Sequence, residues 1–277
     1  SLAGAYWRGN SDNAQLTRVY GTAFFSKKDL DAHLERLEQA KLRDHRRLGK
    51  QLDLFHFAEA SPGSPFWHPK GMVIWNVLED LRRAENARRG YEEVRTPLIY
   101  DVDVWKTSGH WDNYRDSMYF FDTEAREYGL KPMNCPGHCF IFSDQLRSYR
   151  ELPLRLGEAG LVHRHEASGV LHGLLRVRHI TQDDAHIFCT HEQTEGEVLG
   201  CLDYAFFLYG LFDFPVHAEL STRPEKRIGT DEEWDMAEGA LRGALERQGL
   251  DYALNEGDGA FYGPKIDLHV TDALERS

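Results

Sequence analysis

Cysteine is scarce in this chain. Cys135, Cys139, Cys189 and Cys201 are the four thiols among 277 residues. They are too few and too irregularly spaced for a disulfide framework, so metal binding or catalysis must be weighed for them instead. Long apolar runs are missing too: no stretch approaches the roughly 18 residues of a membrane span. The opening SLAGAYWRGN lacks the basic start and apolar run of a secretory signal, so a cytoplasmic protein with no membrane partner is expected. Positive charge is in deficit. The 33 Lys and Arg face 45 Asp and Glu, for a formal charge of -12. That excludes a global attraction to a nucleic-acid backbone, although local basic clusters can still hold phosphate. Two such clusters are KLRDHRRLGK (41–50) and the trio Arg164, Arg176 and Arg178. There is no internal repeat and no low-complexity tract.

What is present suits a soluble globular domain with a sizeable core: 41% hydrophobic and 28% charged residues. Residues 1–25 read as short strands and turns. Ser26 opens a helix whose Leu30, Leu34 and Leu37 recur at helical spacing to about Leu48, with Gly49 as a stop. A second amphipathic helix spans 72–89, with Ile74, Val77, Leu78 and Leu81 on one face and Gly90 as its cap. A strand runs over 91–97. The segment 153–166 reads as strand, turn, strand, followed by a loop (167–175), a strand (176–189) and a long, largely buried helix (191–214). Strand 216–223, helix 231–248, strand 252–257 and strand 265–272 complete the pattern. Strands with tight turns, mixed with helices that do not alternate regularly, predict an α+β fold: an antiparallel sheet flanked by helices, not a doubly wound parallel one.

Four stretches carry candidate chemistry. In HRHE (163–166), a strand would place Arg164 and Glu166 on one face, a forked cation beside an acceptor. Either a ligand or a plain cross-strand ion pair satisfies that arrangement. In RVRH (176–179), a hairpin would bring Arg176 beside Arg164, and three arginines around one groove would repel without an anion. A solvated basic edge strand is the other reading. In TQDDAHIF (181–188), Gln182, Asp184 and His186 share a face. Asp184 could bind an ammonium and His186 a metal, or His186 could be an ordinary half-buried histidine. In KPMNCPGHCF (131–140), Cys135 and His138 make half a zinc pattern with no second half to close it. His138 fits the start of the following helix better than a ligand role.

Taken together, LDLFHF (52–57), FWHPKG (66–71), TSGHWDNY (107–114), LKPMNCPGH (130–138), HRHE…LLRVR (163–178), TQDDAHIF (181–188) and GAFYGPKID (259–267) occur in this order. The set resembles the catalytic core of the threonyl-tRNA synthetase family, class II aminoacyl-tRNA synthetases, of bacterial type. The resemblance implies threonine activation by ATP with Mg²⁺, transfer to tRNA(Thr), one zinc per chain and a homodimer. It implies that Arg164 holds the α-phosphate, Glu166 the adenine amino group and Arg176 the γ-phosphate, with Ile180 against the adenine. Gln182 and Asp184 would lie near threonine and adenylate, Met133 would line the amino-acid pocket, and Tyr262 and Lys265 would close it. Cys135 and His186 match two of three protein zinc ligands. Pro97 lies where the first class II motif builds the dimer interface. An open zinc position would sort threonine from valine by its hydroxyl, a distinction an apolar pocket makes poorly.

The sequence also departs from the family. No G-x-E-R segment appears, so the chain is expected to stop before the third class II motif and the third zinc ligand. Residues 1–50 would be a linker and helix leading from an editing domain, and 51–277 the core. Ile180 stands where the family usually has phenylalanine, and His165 and His179 replace more usual residues. A non-catalytic relative that binds an amino acid or RNA is therefore the alternative.

Overall fold

The computed structural model describes residues 8, 12–14 and 21–272. The expected strands of 1–25 fall mostly outside these residues, and 21–25 form none. The chain divides into two compact units, Ser1–Asp44 and His45–Ser277.

The first unit contributes α1 (Lys27–Leu42). Ser26 caps it as expected, its hydroxyl accepting from the Asp29 amide at 3.1 Å. The helix stops at Leu42, with Arg43 as its C-cap, and does not run on to Leu48.

The second unit opens with a separate helix, α2 (His45–Gln51). Gly49 lies inside it and is not a stop. A Cβ there would sit 2.5 Å from the Phe55 ring, so glycine permits the helix to meet the next strand. β1 (Phe55–Phe57) and β2 (Pro65–Trp67) form an antiparallel hairpin. Beside it the Asp53 carboxylate contacts His68 Nδ1 at 2.6 Å, and His68 Nε2 contacts His56 Nδ1 at 2.7 Å. α3 (Pro69–Arg88) starts on a proline, which lacks the amide a first turn cannot use. Gly90 leaves it at φ +76°. The predicted apolar face exists, but Val73, Ile74, Val77 and Leu78 are exposed. The residues α3 buries include Arg82 and Asn86, and Arg82 is neutralised by Glu79 at 2.6 Å and Glu93 at 2.9 Å.

β3 (Glu92–Glu93) is much shorter than the strand expected over 91–97. β4 (Ile99–Asp101), α4 (Val102–Thr107), α5 (His110–Tyr114), β5 (Phe120–Thr123) and β6 (Arg126–Leu130) follow. The three strands make an antiparallel sheet in the order β4-β6-β5. Val102, Trp105 and Met118 form the core next to it. After α6 (Cys135–Ser143) come β7 (Leu154–His163) and β8 (His179–Phe188). These two pair antiparallel without a break from Leu154↔Phe188 to His163↔His179, and β3 joins β7 in parallel.

The strand–turn–strand expected for 153–166 is thus one continuous strand. Its glycines looked like turn residues, but both lie inside the strand, and Gly160 marks a close approach. A Cβ on Gly160 would lie 2.3 Å from the Asn134 amide nitrogen.

α7 (His191–Gly210) fully buries only Leu202 and Tyr204, so it is a half-buried helix and not a largely buried one. β9 (Val216–Ser221), α8 (Asp231–Arg247), β10 (Tyr252–Asn255) and β11 (Lys265–Val270) close the fold. β9 is central in its sheet, parallel to β10 and antiparallel to β11. Leu202, Ala218, Leu220, Ala244 and Leu245 pack this sheet against α7 and α8. The fold is α+β as expected, although the strands fall into several small sheets and two of the pairings are parallel. No helix of the described residues is long and apolar enough to cross a membrane.

Candidate active site

The inner face of the β7–β8 pair organises the site. Opposite residues of an antiparallel pair point the same way, so register decides the company each side chain keeps. Glu158 lies opposite Asp184, Gly160 opposite Gln182, and Leu156 opposite His186. The alternation predicted for Gln182, Asp184 and His186 is present on β8, and Ile180 extends the same face.

The segment 131–138 is laid across that face. Its start is fastened on both sides. The Lys131 amide donates to the Leu98 carbonyl at 2.8 Å, and the His163 amide donates to the Lys131 carbonyl at 3.0 Å. Pro136 then sits in the first turn of α6. Gly137 lets that turn press against Thr96 and Tyr100, where a Cβ would meet both at 2.6 Å. Cys135 is therefore the first residue of a helix and half-buried. His138 is in the same first turn, as the sequence suggested, but it does more than start a helix.

His138 is completely buried. Its Nε2 is 3.1 Å from Glu158 Oε1, and its Nδ1 is 2.8 Å from His186 Nδ1. Glu158 is itself 2% exposed. The Thr96 hydroxyl donates to its Oε1 at 2.7 Å and the Thr96 amide to its Oε2 at 3.0 Å. Lys131, 1% exposed, donates to Thr96 Oγ1 at 2.5 Å and lies 3.4 Å from Glu158 Oε1. Burial raises the Glu158 carboxyl, but bonds from His138 and Thr96 outweigh it and hold the group down at about 2. Burial holds His186 below the ordinary imidazole range, against the opposing pull of Asp184.

Asp184 accepts from the Asn134 amide at 2.7 Å and stands 3.9 Å from His186 Nδ1. Asn134 Oδ1 is buried and takes no hydrogen bond. Burial, with the Asp184 charge second, pushes the Cys135 thiol up to about 11. Burial also raises the Tyr262 hydroxyl, and Cys135, Tyr114 and Asp184 add to the rise. Asp184 therefore bears on Cys135, His186 and Tyr262, and Arg164 on Cys135 and Tyr262.

The remaining candidates are engaged by partners of their own. The strand ends at His163, so Arg164 and Glu166 do not share a strand face. The Glu166 amide turns back to the Arg164 carbonyl at 2.9 Å. Arg178, not Arg176, is opposite Arg164, whose amide donates to the Arg178 carbonyl. The three arginines are each held by an acceptor, which relieves the repulsion foreseen for them. Arg164 donates to the Pro132 carbonyl at 3.1 Å, and Arg178 to the Glu166 carbonyl at 2.8 Å. Arg176 is paired with the Glu166 carboxylate at 2.9 Å. Lys265 is engaged by Asp267 at 2.6 Å and Asp258 at 3.1 Å, within an acidic group that also includes Glu219. Met133 lies half-buried between Pro132 and Asn134.

A zinc ion implied by the family would meet suitable chemistry at Cys135 and His186: a thiol, and an imidazole whose Nε2 takes no hydrogen bond while Nδ1 is held by His138. Among the described residues, no third ligand atom converges with these two.

Sequence reading passed over Thr96, Lys131, Asn134 and Glu158. One signal was available: Glu158 is the lone charge in the buried run LGEAGLV (156–162).

The sequence profile of the tRNA synthetase class II core domain (G, H, P, S and T) matches residues 118–277. The chain belongs to that class II core family. Within it, the chain is 56% identical, over all 277 residues, to threonine–tRNA ligase of Caldanaerobacter subterraneus subsp. tengcongensis, covering 43% of that enzyme. The same identity holds to the ligase of Acetivibrio thermocellus, of which it covers 44%. The chain thus spans less than half the length of the curated relatives it matches. Among solved structures, the RNA binding domain of threonyl-tRNA synthetase from Cryptosporidium parvum Iowa II superposes with a TM-score of 0.81 at 54% identity. That match covers 84% of this chain and 59% of that one. Giardia lamblia prolyl-tRNA synthetase in complex with prolyl-adenylate shares the fold alone, at TM-score 0.57 and 20% identity, over 62% of this chain and 36% of that one.

Proposed function

We propose that this chain is the threonine-activating core of a cytoplasmic threonine–tRNA ligase. In this reading the threonine carboxylate attacks the α-phosphorus of ATP held with Mg²⁺. The new bond is acyl oxygen to phosphorus, the bond broken is to the β-phosphate bridge, and pyrophosphate leaves. A hydroxyl at the end of tRNA(Thr) then attacks the acyl carbon, and AMP departs. No side-chain nucleophile is needed. The protein contributes position and charge.

Arg164 is assigned to the α-phosphate, where charge builds up, and Arg176 to the γ-phosphate. Glu166 takes the adenine amino group, and Ile180 packs on the ring. The Arg176–Glu166 pair has to open for both to serve. Asp184 receives the threonine ammonium, with the unpartnered Asn134 Oδ1 beside it as a second acceptor. Gln182 lies near threonine and adenylate, Met133 lines the amino-acid pocket, and Tyr262 and Lys265 close it, Lys265 after leaving its carboxylates. Cys135 and His186 would hold zinc, which when bound supplies an open position for the substrate amino and hydroxyl groups. The exposed Val73, Ile74, Val77 and Leu78 of α3, with Leu98 and Ile99 near Pro97, support a homodimer through this face. Residues 1–50 would lead in from an editing domain.

The observation that carries the reading is the match to threonine–tRNA ligases along the whole chain. The test is amino-acid-dependent ATP–pyrophosphate exchange in a protein extended to the length of its relatives. Exchange with threonine and serine but not valine is expected. Binding of threonine or RNA without adenylate formation would favour the non-catalytic alternative, which Ile180 in place of phenylalanine keeps in view.

A further inference from the structure

The two imidazoles of His138 and His186 meet through their Nδ1 atoms at 2.8 Å. Only one of those nitrogens can carry the shared proton. Its owner is decided at the far end of the chain. The His138 Nε2 faces a carboxylate oxygen at 3.1 Å, and a carboxylate only accepts. His138 must therefore donate from Nε2, and as a neutral ring it then accepts at Nδ1. The proton between the rings belongs to His186 Nδ1. That leaves the lone pair of His186 on Nε2.

The carboxylate at the head of this chain is itself fixed. Glu158 is held by two donations from Thr96 and by the Lys131 ammonium. The Asp184 carboxylate competes poorly for the His186 proton, at 3.9 Å against 2.8 Å.

We propose that Glu158 and His138 are positioning residues that fix which ring nitrogen His186 presents to the zinc. They touch neither metal nor substrate. They act through His186, as an outer carboxylate acts through a ligating histidine. This rests on the zinc reading of the site, but its first test does not need the metal.

The test is a long-range ¹H–¹⁵N correlation spectrum of the labelled 277-residue chain at about pH 8, above the ordinary imidazole range. His186 and His138 signals are assigned by single substitution. The expected result is a proton on Nδ1 of His186 and on Nε2 of His138. A His186 ring protonated on Nε2, as a cationic His138 would enforce, overturns the proposal.

A second measurement follows Co²⁺ affinity through the thiolate absorption band, with circular dichroism confirming the fold. His138→Phe should weaken binding by about 10- to 100-fold. His138→Gln, whose amide can donate to Glu158 and accept from His186, should recover most of it. A folded His138→Phe protein with unchanged affinity contradicts the proposal. Failure of threonine-dependent exchange would count against the enzyme reading and leave the tautomer result standing.

Discussion

Two carboxylate–imidazole–imidazole chains stand out among the described residues of the unit His45–Ser277. Asp53–His68–His56 lies at the β1–β2 hairpin, and Glu158–His138–His186 lies under α6. Their distances are similar, and their surroundings are opposite. The side chains of His68 and Asp53 are 30% and 60% exposed, whereas those of His138 and Glu158 are 0% and 3% exposed. In the hairpin, water can replace any lost contact and screens each charge. Glu158 is buried from bulk solvent, so its oxygens depend on Thr96, Lys131 and His138 for their partners. The same carboxylate–imidazole–imidazole arrangement is therefore a solvent-screened surface motif in one place and a buried part of the site in the other.

That difference predicts a graded set of responses. Glu158→Ala should be the most damaging, leaving Lys131 buried without its partner. A loss of about 3–5 kcal/mol is expected, read from urea midpoints. Equal losses for Glu158→Ala and Asp53→Ala would erase the contrast. Next is pH. The folded Glu158 carboxyl is held at about 2, against an ordinary 4.5. The folded state binds fewer protons there, so this stabilisation is complete above about 4.5 and is lost as pH falls toward 2. Midpoints of the parent and Glu158→Gln should converge across that window, and parallel curves would refute the assignment. Gly160→Ala should cost about 1–3 kcal/mol by overpacking against Asn134, and should loosen Asn134 from Asp184. Asp53→Ala should be the smallest, about 1 kcal/mol, most of it from placing alanine at the left-handed φ of +58° that Asp53 adopts.

Much of the C-terminal half was legible in sequence. β9, α8, β10 and β11 fall where alternation, helical spacing and turn residues put them, because each is specified locally. The shared face of Gln182, Asp184 and His186 was legible for the same reason, since strand parity needs no partner. What failed depended on contacts distant in sequence. Gly157 and Gly160 looked like a turn until β8 and Asn134 were placed against them. The apolar stripe of α3 was read correctly as a stripe, but its pattern does not say that this chain leaves it uncovered. HRHE was read as strand because its alternation is strand-like, yet the ladder ends at His163 and the backbone turns. Glu158 escaped notice because a lone glutamate in an apolar run carries no label for its partners. Those come from Thr96, Lys131 and His138, 62, 27 and 20 residues away.

The splice at Lys131 has a mechanical consequence. Its amide is tied to Leu98 and its carbonyl to His163, so this one residue joins the exposed edge around Leu98 to the strand beneath the site. Its side chain, in turn, reaches Thr96 and Glu158. A displacement at Leu98 is expected to pass through Lys131 to the segment that carries Cys135, which would couple the apolar edge to the site.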